Sequence, residues 1–486
     1  MLNISNPDIF IIVTDSARAY HSNSGDDRER PAYYSKLDEF VHCTHAYTSA
    51  PSSVMSGAAM ISSLDSYTLA RNYDNFRFNN SFNVNNVEKI SELGYKTQGF
   101  FAARELREKL GNLVGLDFEN TLSSINFYDR RWSNSDINKI VDNYLKKNSE
   151  SKVPLFNLIW HDIRNDYKIS ENLEDLENIL RKHKRWNNSI IFFLSDHGYP
   201  TKDKGITPEG LKKDNKTHDL WMTQDNIRIP FFFKTPYDNS YEISENVSTV
   251  DIFPTIFNLI GSNPKIKYSE GVSLSSLNPH RQSQLLNRYL RVDSRFIGQP
   301  QRKTAIIYQR NKLVYEHDEN VISLYELDHD DITVEKEIDN EKLLKQMREA
   351  YISNEQGSLR FQYSTQLNNL LPRFKRFVIG EYDEALINYL EYERKEYTLY
   401  NELSTREKWS NLVSLEVGLI NVPFCKRILL KSLHVISRRF VYINLVSNQE
   451  VIKWGVKRLY LACKNAIPYV FNEPKYLFVR IREFIK

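Results

Sequence analysis

Short apolar runs alternate along the first half of the chain with segments in which apolar residues recur every three or four positions. The runs, rich in β-branched and aromatic residues, predict strands at Ile9–Val13, Lys96–Phe101, Leu155–Trp160, Ile190–Leu194 and Phe231–Lys234. The periodic segments predict helices at Val87–Leu93, Ile137–Lys147 and Leu173–Trp186. Because strands that are apolar throughout are typical of sheets buried on both faces, the pattern predicts an α/β fold with a mostly parallel sheet.

Two of the predicted strands end in acidic motifs. Asp15 follows the first run within the sequence TDSAR, and Asp196 and His197 follow the fourth run within SDHG. Side chains at the carboxyl ends of parallel strands meet in one crevice, and carboxylate and imidazole groups are ligands for divalent cations. Taken singly, an Asp after a strand is also typical of a turn or a helix N-cap, so each motif alone leaves both interpretations open.

A hydroxyl-rich segment lies between these two motifs. Residues 46–57 read AYTSAPSSVMSG and precede an Ala/Met/Ile stretch with helical potential. A hydroxyl at a helix N-terminus could serve as a nucleophile, because the free N–H groups there stabilise negative charge. Plain helix capping by serine is the alternative.

Composition narrows the class of protein. The chain has 486 residues, 41% hydrophobic, 26% charged and 13% aromatic, which excludes a disordered chain, and its 16 Gly and 16 Pro exclude a collagen-like one. A net charge of +3 does not by itself point to a nucleic-acid or other polyanionic partner. The three scattered cysteines exclude a disulfide scaffold and suit a reducing compartment. Without a charged n-region or a run of about 18 apolar residues, the sequence predicts a cytoplasmic protein.

In this order, the motifs resemble the sulfatase branch of the alkaline phosphatase superfamily over roughly residues 7–340. TDSAR resembles that family's first metal motif, SAPSS the C/S-x-P-x-R nucleophile motif, and LSDHG the second metal motif. Four further segments are similar to family segments: Glu92–Phe100, Ser248–Gly261, Gly271–Leu277 and Leu324–Ile338. The resemblance implies an alkaline-phosphatase-like sandwich: a central, mostly parallel sheet flanked by helices, and a small C-terminal sheet subdomain.

The resemblance also implies roles for individual residues. Asp15, Asp196 and His197 match metal ligands, and Ser49 matches the nucleophile, which in this family also contacts the metal. Thr48 is a second candidate for the nucleophile.

Further positions match substrate-binding residues of the family. His218 matches a residue that contacts the ester group, as anion ligand, leaving-group contact or general acid. In WHDIRNDY, Asp162 keeps the family residue, while Arg164 replaces a histidine and could still hold an anionic oxygen. Arg18 fits a variant of the first motif and would bind substrate or brace Asp15.

Two departures affect the implied chemistry. Ser16 stands where many sulfatases have a second acid, so the ligand set also resembles the single-metal site of phosphoglycerol and phosphoethanolamine transferases. Ser53 stands where the nucleophile motif has arginine, which makes conversion of Ser49 to formylglycine doubtful. The predicted cofactor is one divalent ion, calcium, manganese, zinc or magnesium.

Three functions follow from the resemblance. The first is hydrolysis of a sulfate ester or phosphoester through a covalent intermediate on Ser49. The second is transfer of a phospho-group to a glycan or lipid-linked glycan, and the third is a degenerate member that only binds. The expected substrates are small-molecule, glycan or lipid-linked esters, including polysaccharides.

Beyond about residue 345 the resemblance stops, and the pattern predicts helices. Residues 421–486 hold 13 Lys and Arg against three Glu, which suits a solvated or partner-binding face, or contact with an anionic membrane at its inner surface. A nucleic-acid patch would have the same composition. The predicted domains are a catalytic α/β domain (1–280), a small β subdomain (281–345) and a basic α-helical extension (346–486).

Other histidines are predicted to have no catalytic role. His42 and His45 flank Cys43 in a pattern that could bind a metal, but a supporting or surface role is favoured. For His161, a packing role is favoured.

Overall fold

A computed structural model of the chain describes twelve segments. They are residues 6–19, 39–66, 86–102, 133–161, 169–200, 218–237, 240–262, 269–295, 301–319, 321–328, 331 and 334–351, with backbone alone for 169–172. The chain divides into two compact units, Met1–Glu355 and Gln356–Lys486. All described residues belong to the first unit, so the predicted basic helices of the extension lie outside them.

The first unit contains a central eight-stranded sheet. Its strands are β1 (Asp8–Thr14), β2 (Val41–Tyr47), β3 (Lys96–Phe101), β4 (Leu155–His161), β5 (Ser189–Ser195), β6 (Arg228–Ile229), β7 (Phe231–Lys234) and β8 (Glu242–Ser248). The order is β3-β4-β1-β5-β7-β2-β6, with β8 paired to β2. Strands β3, β4, β1 and β5 run parallel, which confirms the predicted fold class.

Seven helices accompany the strands of both sheets among the described residues. They are α1 (Ser53–Ser62), α2 (Asn86–Glu92), α3 (Asn134–Lys147), α4 (Ile169–Lys182), α5 (Gln224–Ile227), α6 (Ile252–Leu259) and α7 (Arg281–Leu286). Residues 341–351 are also helical.

Both faces of the central sheet are covered, which explains why its inner strands are apolar throughout. On one face, Phe10 and Ile12 of β1 join a core with Val141 of α3 and Leu176 of α4. On the other face, Phe156 of β4 lies 5.9 Å, ring to ring, from Phe253 of α6. Every residue of β1, β4 and β5 is buried, as the prediction of a doubly covered sheet requires.

Three details of the central sheet and its helices differ from the sequence prediction. The predicted strand at 231–234 is present, but β7 runs antiparallel to β5 and β2. Strand β2 was not predicted, because polar residues such as His42 and Thr44 interrupt its apolar pattern. Helix α4 ends at Lys182, and the backbone turns through a left-handed Lys184 (φ 57°), so Trp186 lies outside the helix.

A separate five-stranded antiparallel sheet confirms the predicted small sheet. Its strands are β9 (Leu290–Asp293), β10 (Lys303–Tyr308), β11 (Asn311–Glu316), β12 (Val321–Leu327) and β13 (Glu335–Glu337). The sheet is joined to the hydroxyl-rich segment, where the Asp293 N–H donates to the Ser49 carbonyl at 3.1 Å.

Within the described residues, the helices are too short or too polar to cross a bilayer.

Candidate active site

The carboxyl ends of β1 and β5 bring the two acidic motifs together. The strands pair in parallel with Thr14 opposite Ser195, so Asp15 and Asp196 leave the sheet side by side. One ligand atom from each of Asp15, Asp196 and His197 lies within 4.8 Å of the others. We call these three residues the acidic cluster; the sequence predicted them as metal ligands.

Ser16 fixes the geometry between the two carboxylates. Its backbone is left-handed (φ 62°), a conformation that costs a non-glycine residue on the order of 1 kcal/mol. In this conformation its N–H donates to Asp196 Oδ1 at 2.9 Å and its hydroxyl donates to Asp15 Oδ1 at 2.7 Å. The residue that replaces the family's second acid therefore positions both carboxylates.

The hydrogen bonds of His197 set which ring nitrogen has a free lone pair. Its Nδ1 lies 2.7 Å from the Gly198 carbonyl, which can only accept, so Nδ1 carries the proton. In the neutral ring Nε2 then presents a lone pair, and it lies 3.5 Å from Asp196 Oδ2. The ring is fully buried.

The donor set fits a divalent cation. Asp196 Oδ1 accepts from the N–H groups of Ser16 and His197, but the buried Oδ2 has no hydrogen-bond partner in the part of the chain that the structure describes. A buried carboxylate oxygen without a donor is costly, and here it faces a bare imidazole nitrogen beside a second carboxylate. A cation bound between them would satisfy all three groups.

Gly198 is required by close backbone packing rather than by its own conformation. A Cβ at this position would lie 2.1 Å from the Asp225 carbonyl oxygen. The Gly198 N–H donates to the Asn226 carbonyl, and the Tyr199 N–H donates to the Asp225 carbonyl. These contacts fix the chain directly after the ligands Asp196 and His197.

The hydroxyl-rich segment lies beside the acidic cluster, with Ser53 as the first residue of α1. The Thr48 hydroxyl lies 2.9 Å from Ser56 Oγ, and Ser56 donates to the Asp196 carbonyl at 2.7 Å. Ser49 Oγ lies 3.4 Å from the hydroxyls of both Ser248 and Thr249. Ser53 Oγ lies 3.3 Å from His197 Nε2.

His218 lies against the acidic cluster. Its ring stacks on His197 with centroids 4.7 Å apart and on Tyr199 at 5.7 Å. Burial, together with the neighbouring His197, lowers the pKa of His218 to about 3, so the ring is neutral at pH 7. Asn226 holds the turn by donating to the carbonyls of His218 and Trp221, both at 2.7 Å.

Of the other predicted site residues, Arg18 lies three residues after Asp15 and is half-buried. Asp162 and Arg164 lie outside the described residues.

The remaining histidines have structural contacts. His42 stacks on Phe232 at 4.6 Å, and His45 Nδ1 lies 2.7 Å from the Ser244 carbonyl. The potential metal clusters among the described residues include neither of them nor the buried Cys43. His161 is buried and its Nε2 lies 3.0 Å from Asn138 Oδ1, and burial lowers its pKa to about 4.

Sequence reasoning missed Ser16, Ser53, Ser56 and Asn226 as parts of this site. Ser16 and Ser53 stood out only as departures from family positions. Counting from Pro51 to the start of the helical stretch would have placed Ser53 in the first turn of α1. Nothing in the sequence around Asn226 indicates that it holds the His218 turn.

Comparison with known proteins bears on this arrangement. Residues 164–262 match the family model described as Sulfatase, a range that includes Asp196, His197 and His218. The sulfatase family is therefore assigned to the matched part of the chain. Residues 164–262 form a sulfatase-family segment. The sulfatase-family prediction is thereby confirmed.

A relative and several solved structures are similar to this chain. A Caenorhabditis elegans protein named as a homologue of the extracellular sulfatase Sulf-1 is 33% identical over 110 residues, which is 22% of this chain and 14% of the nematode protein. The structure of BT4656 with its substrate D-glucosamine-2-N,6-O-disulfate has a TM-score of 0.56 at 13% identity, covering 74% of this chain and 98% of that one. An alkaline phosphatase superfamily protein from Vibrio parahaemolyticus has a TM-score of 0.52 at 16% identity, covering 75% and 88%. These structures establish the fold.

Proposed function

We propose that this chain is a metal-dependent hydrolase that cleaves a sulfate ester or phosphoester through a covalent intermediate on a serine. The observation that carries the proposal is the acidic cluster, in which Asp15, Asp196 and His197 converge around the partnerless Asp196 Oδ2. Such a group of lone pairs is costly in a folded protein unless a cation neutralises it.

Asp15, Asp196 and His197 would hold one divalent ion. A bound cation would polarise a non-bridging oxygen of the ester and favour the deprotonated form of a nearby hydroxyl. Oxygen ligands with one imidazole suit calcium, magnesium, manganese or zinc, and the imidazole favours the last two.

The chain's own side chains would perform the remaining tasks. A hydroxyl of the segment 48–53 attacks the ester, and the family resemblance points to Ser49 or Thr48 for this role. His218 is neutral at pH 7 and donates an N–H to an ester oxygen, a contact worth about 2.7–4 kcal/mol in well-organised sites. Arg18, Arg164 and Asp162 are proposed to bind the charged and polar parts of the substrate.

A sulfated or phosphorylated glycan is the substrate class we favour. Two proteins of the same fold are described with sugar ligands, D-glucosamine-2-N,6-O-disulfate for BT4656 and a neocarrahexaose for Ps i-CgsB. A small-molecule or lipid-linked ester would use the same site. Work on lipid-linked glycans would suit a cytoplasmic enzyme whose basic extension contacts an anionic membrane, as the sequence predicts.

A phospho-group transferase is the second candidate. Ser16 favours this candidate. It occupies the position of a second acid, and its hydroxyl donates a hydrogen bond to Asp15 instead of adding negative charge. Transfer differs from hydrolysis only in the acceptor, an alcohol instead of water.

Metal removal and reconstitution test the proposal. The chelated full-length chain is assayed with 4-nitrophenyl phosphate and 4-nitrophenyl sulfate, then again after addition of Mn²⁺, Zn²⁺ or Ca²⁺. We expect activity that vanishes on chelation and returns with at least one ion. A chain that binds no divalent ion and cleaves neither ester would contradict the proposal.

Two mass measurements distinguish hydrolysis from transfer, and a sulfate ester from a phosphoester. In ¹⁸O-labelled water, hydrolysis places one heavy oxygen in the released phosphate or sulfate, whereas transfer to added glycerol does not. A peptide across Ser49 from the native host that is lighter by two hydrogens would show formylglycine and favour sulfate esters.

A further inference from the structure

The hydroxyls of the segment 48–56 differ in what they contact. Thr48 and Ser56 are committed to a chain of hydrogen bonds that ends on the Asp196 carbonyl. Among the described residues, Ser49 Oγ contacts other hydroxyls, those of Ser248 and Thr249, at the long distance of 3.4 Å. Ser53 differs from both groups, because its hydroxyl lies within hydrogen-bond distance of a side-chain ligand atom of the acidic cluster, His197 Nε2.

The contact of Ser53 is directed at a lone pair. The Gly198 carbonyl holds a proton on His197 Nδ1, so in the neutral ring Nε2 is the acceptor, and Ser53 Oγ lies 3.3 Å from it. The same Nε2 lies 3.5 Å from the partnerless, fully buried Asp196 Oδ2. The Ser53 oxygen is therefore held beside the point where the lone pairs of the cluster converge.

Accessibility also separates the two serines. Ser49 is 1% exposed, so an ester could reach its hydroxyl only after the surrounding chain moved. Ser53 is half-buried and begins the ten-residue helix α1. The N–H groups of the first turn have no partner within the helix, and they favour negative charge on an oxygen or an oxyanion beside them.

We propose that Ser53 Oγ, and not Ser49 Oγ, is the nucleophile, and that the substrate is a phosphoester. The inference rests on the proposed function. It makes formylglycine unnecessary, because an unmodified serine forms a phosphate ester that water can cleave.

The reaction balances in two steps. Ser53 Oγ forms a bond to phosphorus, the bond from phosphorus to the leaving oxygen breaks, and the serine proton is delivered through solvent to the leaving alkoxide. Water then attacks phosphorus, the bond to Ser53 Oγ breaks, and one proton of that water returns to Ser53. The products are an alcohol and inorganic phosphate.

The test locates the covalent phosphate. The full-length chain with Mn²⁺ is mixed with 4-nitrophenyl phosphate, quenched in acid within one turnover, and digested. Fragmentation of the peptide that spans residues 48–56 then assigns the added phosphate to one hydroxyl. We expect it on Ser53 in the native chain, on the new threonine in Ser53→Thr, and nowhere in Ser53→Ala.

Matched variants provide a second readout that needs no turnover. Ser53→Ala should weaken Mn²⁺ binding by roughly tenfold, measured by calorimetry, because a metal-facing oxygen is lost. Ser49→Ala and Ser52→Ala should change it less than twofold. Alanine is a good helix former and Ser53 is half-buried, so Ser53→Ala should fold.

The outcomes are distinct. Phosphate on Ser49, or turnover without phosphate on Ser53, overturns this inference and leaves the proposed function standing. If 4-nitrophenyl phosphate is not turned over, equal Mn²⁺ affinity of Ser53→Ala and Ser49→Ala overturns it. No Mn²⁺ binding and no hydrolysis by any variant contradicts the proposed function itself.

Discussion

The first unit contains two carboxylate sites that differ in how their oxygens are satisfied. In the acidic cluster, Asp15 and Asp196 meet the imidazole of His197, and Asp196 Oδ2 has no donor among the described residues. In the small sheet, Asp293 is surrounded by donors supplied by the chain. The Asp293 N–H donates to the carbonyl of Ser49, in the hydroxyl-rich segment that lies beside the acidic cluster.

Asp293 has both carboxylate oxygens filled. Arg291 donates to Oδ2 at 2.8 Å and to Oδ1 at 3.1 Å, and Arg302 and Thr304 donate to Oδ1 at 3.0 and 2.6 Å. Ser66 donates to Oδ2 at 3.0 Å and also to the Ser49 carbonyl. Burial alone would raise the pKa of Asp293, but the two guanidiniums hold it well below its ordinary value.

This contrast distinguishes a structural carboxylate from one that we expect to bind a cation. A carboxylate whose oxygens are all filled by the chain, as in Asp293, stabilises the fold by itself. A carboxylate left with a bare oxygen, as in Asp196, makes the fold depend on something that the chain does not supply. The same residue type therefore has opposite expected effects when it is mutated.

Asp196→Asn should give the largest effect, a loss of metal-dependent hydrolysis of about 10³-fold or more, since a ligand to the cation is removed. The metal-free variant should be at least as stable as the native chain, because the amide keeps the acceptor for the Ser16 and His197 N–H groups and removes a buried carboxylate oxygen that has no donor among the described residues. Urea unfolding of the metal-free proteins measures this. A clear drop in stability would mean that Asp196 is a structural residue like Asp293.

Asp293→Asn should lower the free energy of unfolding by about 3–5 kcal/mol, because two buried guanidiniums lose their counter-charge. Activity per folded molecule should stay within a few-fold. Urea unfolding measures the first effect and an assay at low temperature the second. The control Asp142→Asn weakens partly exposed contacts with Lys182 and His183 and should change stability by less than about 1 kcal/mol.

The sequence predicted the acidic cluster better than the Asp293 cluster, for a physical reason. Strands β1 and β5 are apolar throughout, so their ends can be read from the pattern, and parallel pairing places Asp15 beside Asp196. Asp293 belongs to a short strand of the small sheet, and its partner Ser66 lies 227 positions away along the chain. No local pattern encodes such a network.

The contact between Ser53 and His197 could not be predicted from the sequence for a similar reason. Its contact with His197 joins residues 144 positions apart and depends on where α1 begins. The family motif directs attention to Ser49, two residues before Pro51. Strand β2, which leads into this segment, was also missed, so the direction of the segment was unknown.

The pH dependence of stability tests the hydrogen-bond network around Asp293, to which His317 belongs. The Thr304 hydroxyl donates to Asp293, so it accepts from His317 Nε2 at 2.8 Å, and the buried Nδ1 has no partner. Burial, with Arg302 nearby, holds the pKa of His317 well below its ordinary value. The folded chain thus stays unprotonated there while the unfolded chain takes a proton below about pH 6.5, so stability falls as pH falls.

His317→Gln should remove this dependence, because the amide can still donate to Thr304 but does not titrate. Between pH 7 and 5 its free energy of unfolding should fall by roughly 2 kcal/mol less than that of the native chain. Asp293 does not interfere in this window, since its contribution is lost only as pH falls below about 4. Parallel pH slopes for the two proteins would exclude His317 as the source.

Ser16→Gly should give the smallest effect and the sharpest view of the acidic cluster. Glycine adopts the left-handed conformation of Ser16 without strain and keeps the N–H that donates to Asp196, but it loses the hydroxyl that donates to Asp15. We expect Mn²⁺ affinity to fall by roughly tenfold while the metal-free chain keeps its stability. Ser16→Ala loses the same hydroxyl but keeps the left-handed backbone strain. It should therefore bind Mn²⁺ as weakly as Ser16→Gly and unfold at a lower urea concentration than Ser16→Gly. Unchanged Mn²⁺ affinity in both variants would show that the backbone N–H alone positions the carboxylates, and that the hydroxyl at this position serves another purpose.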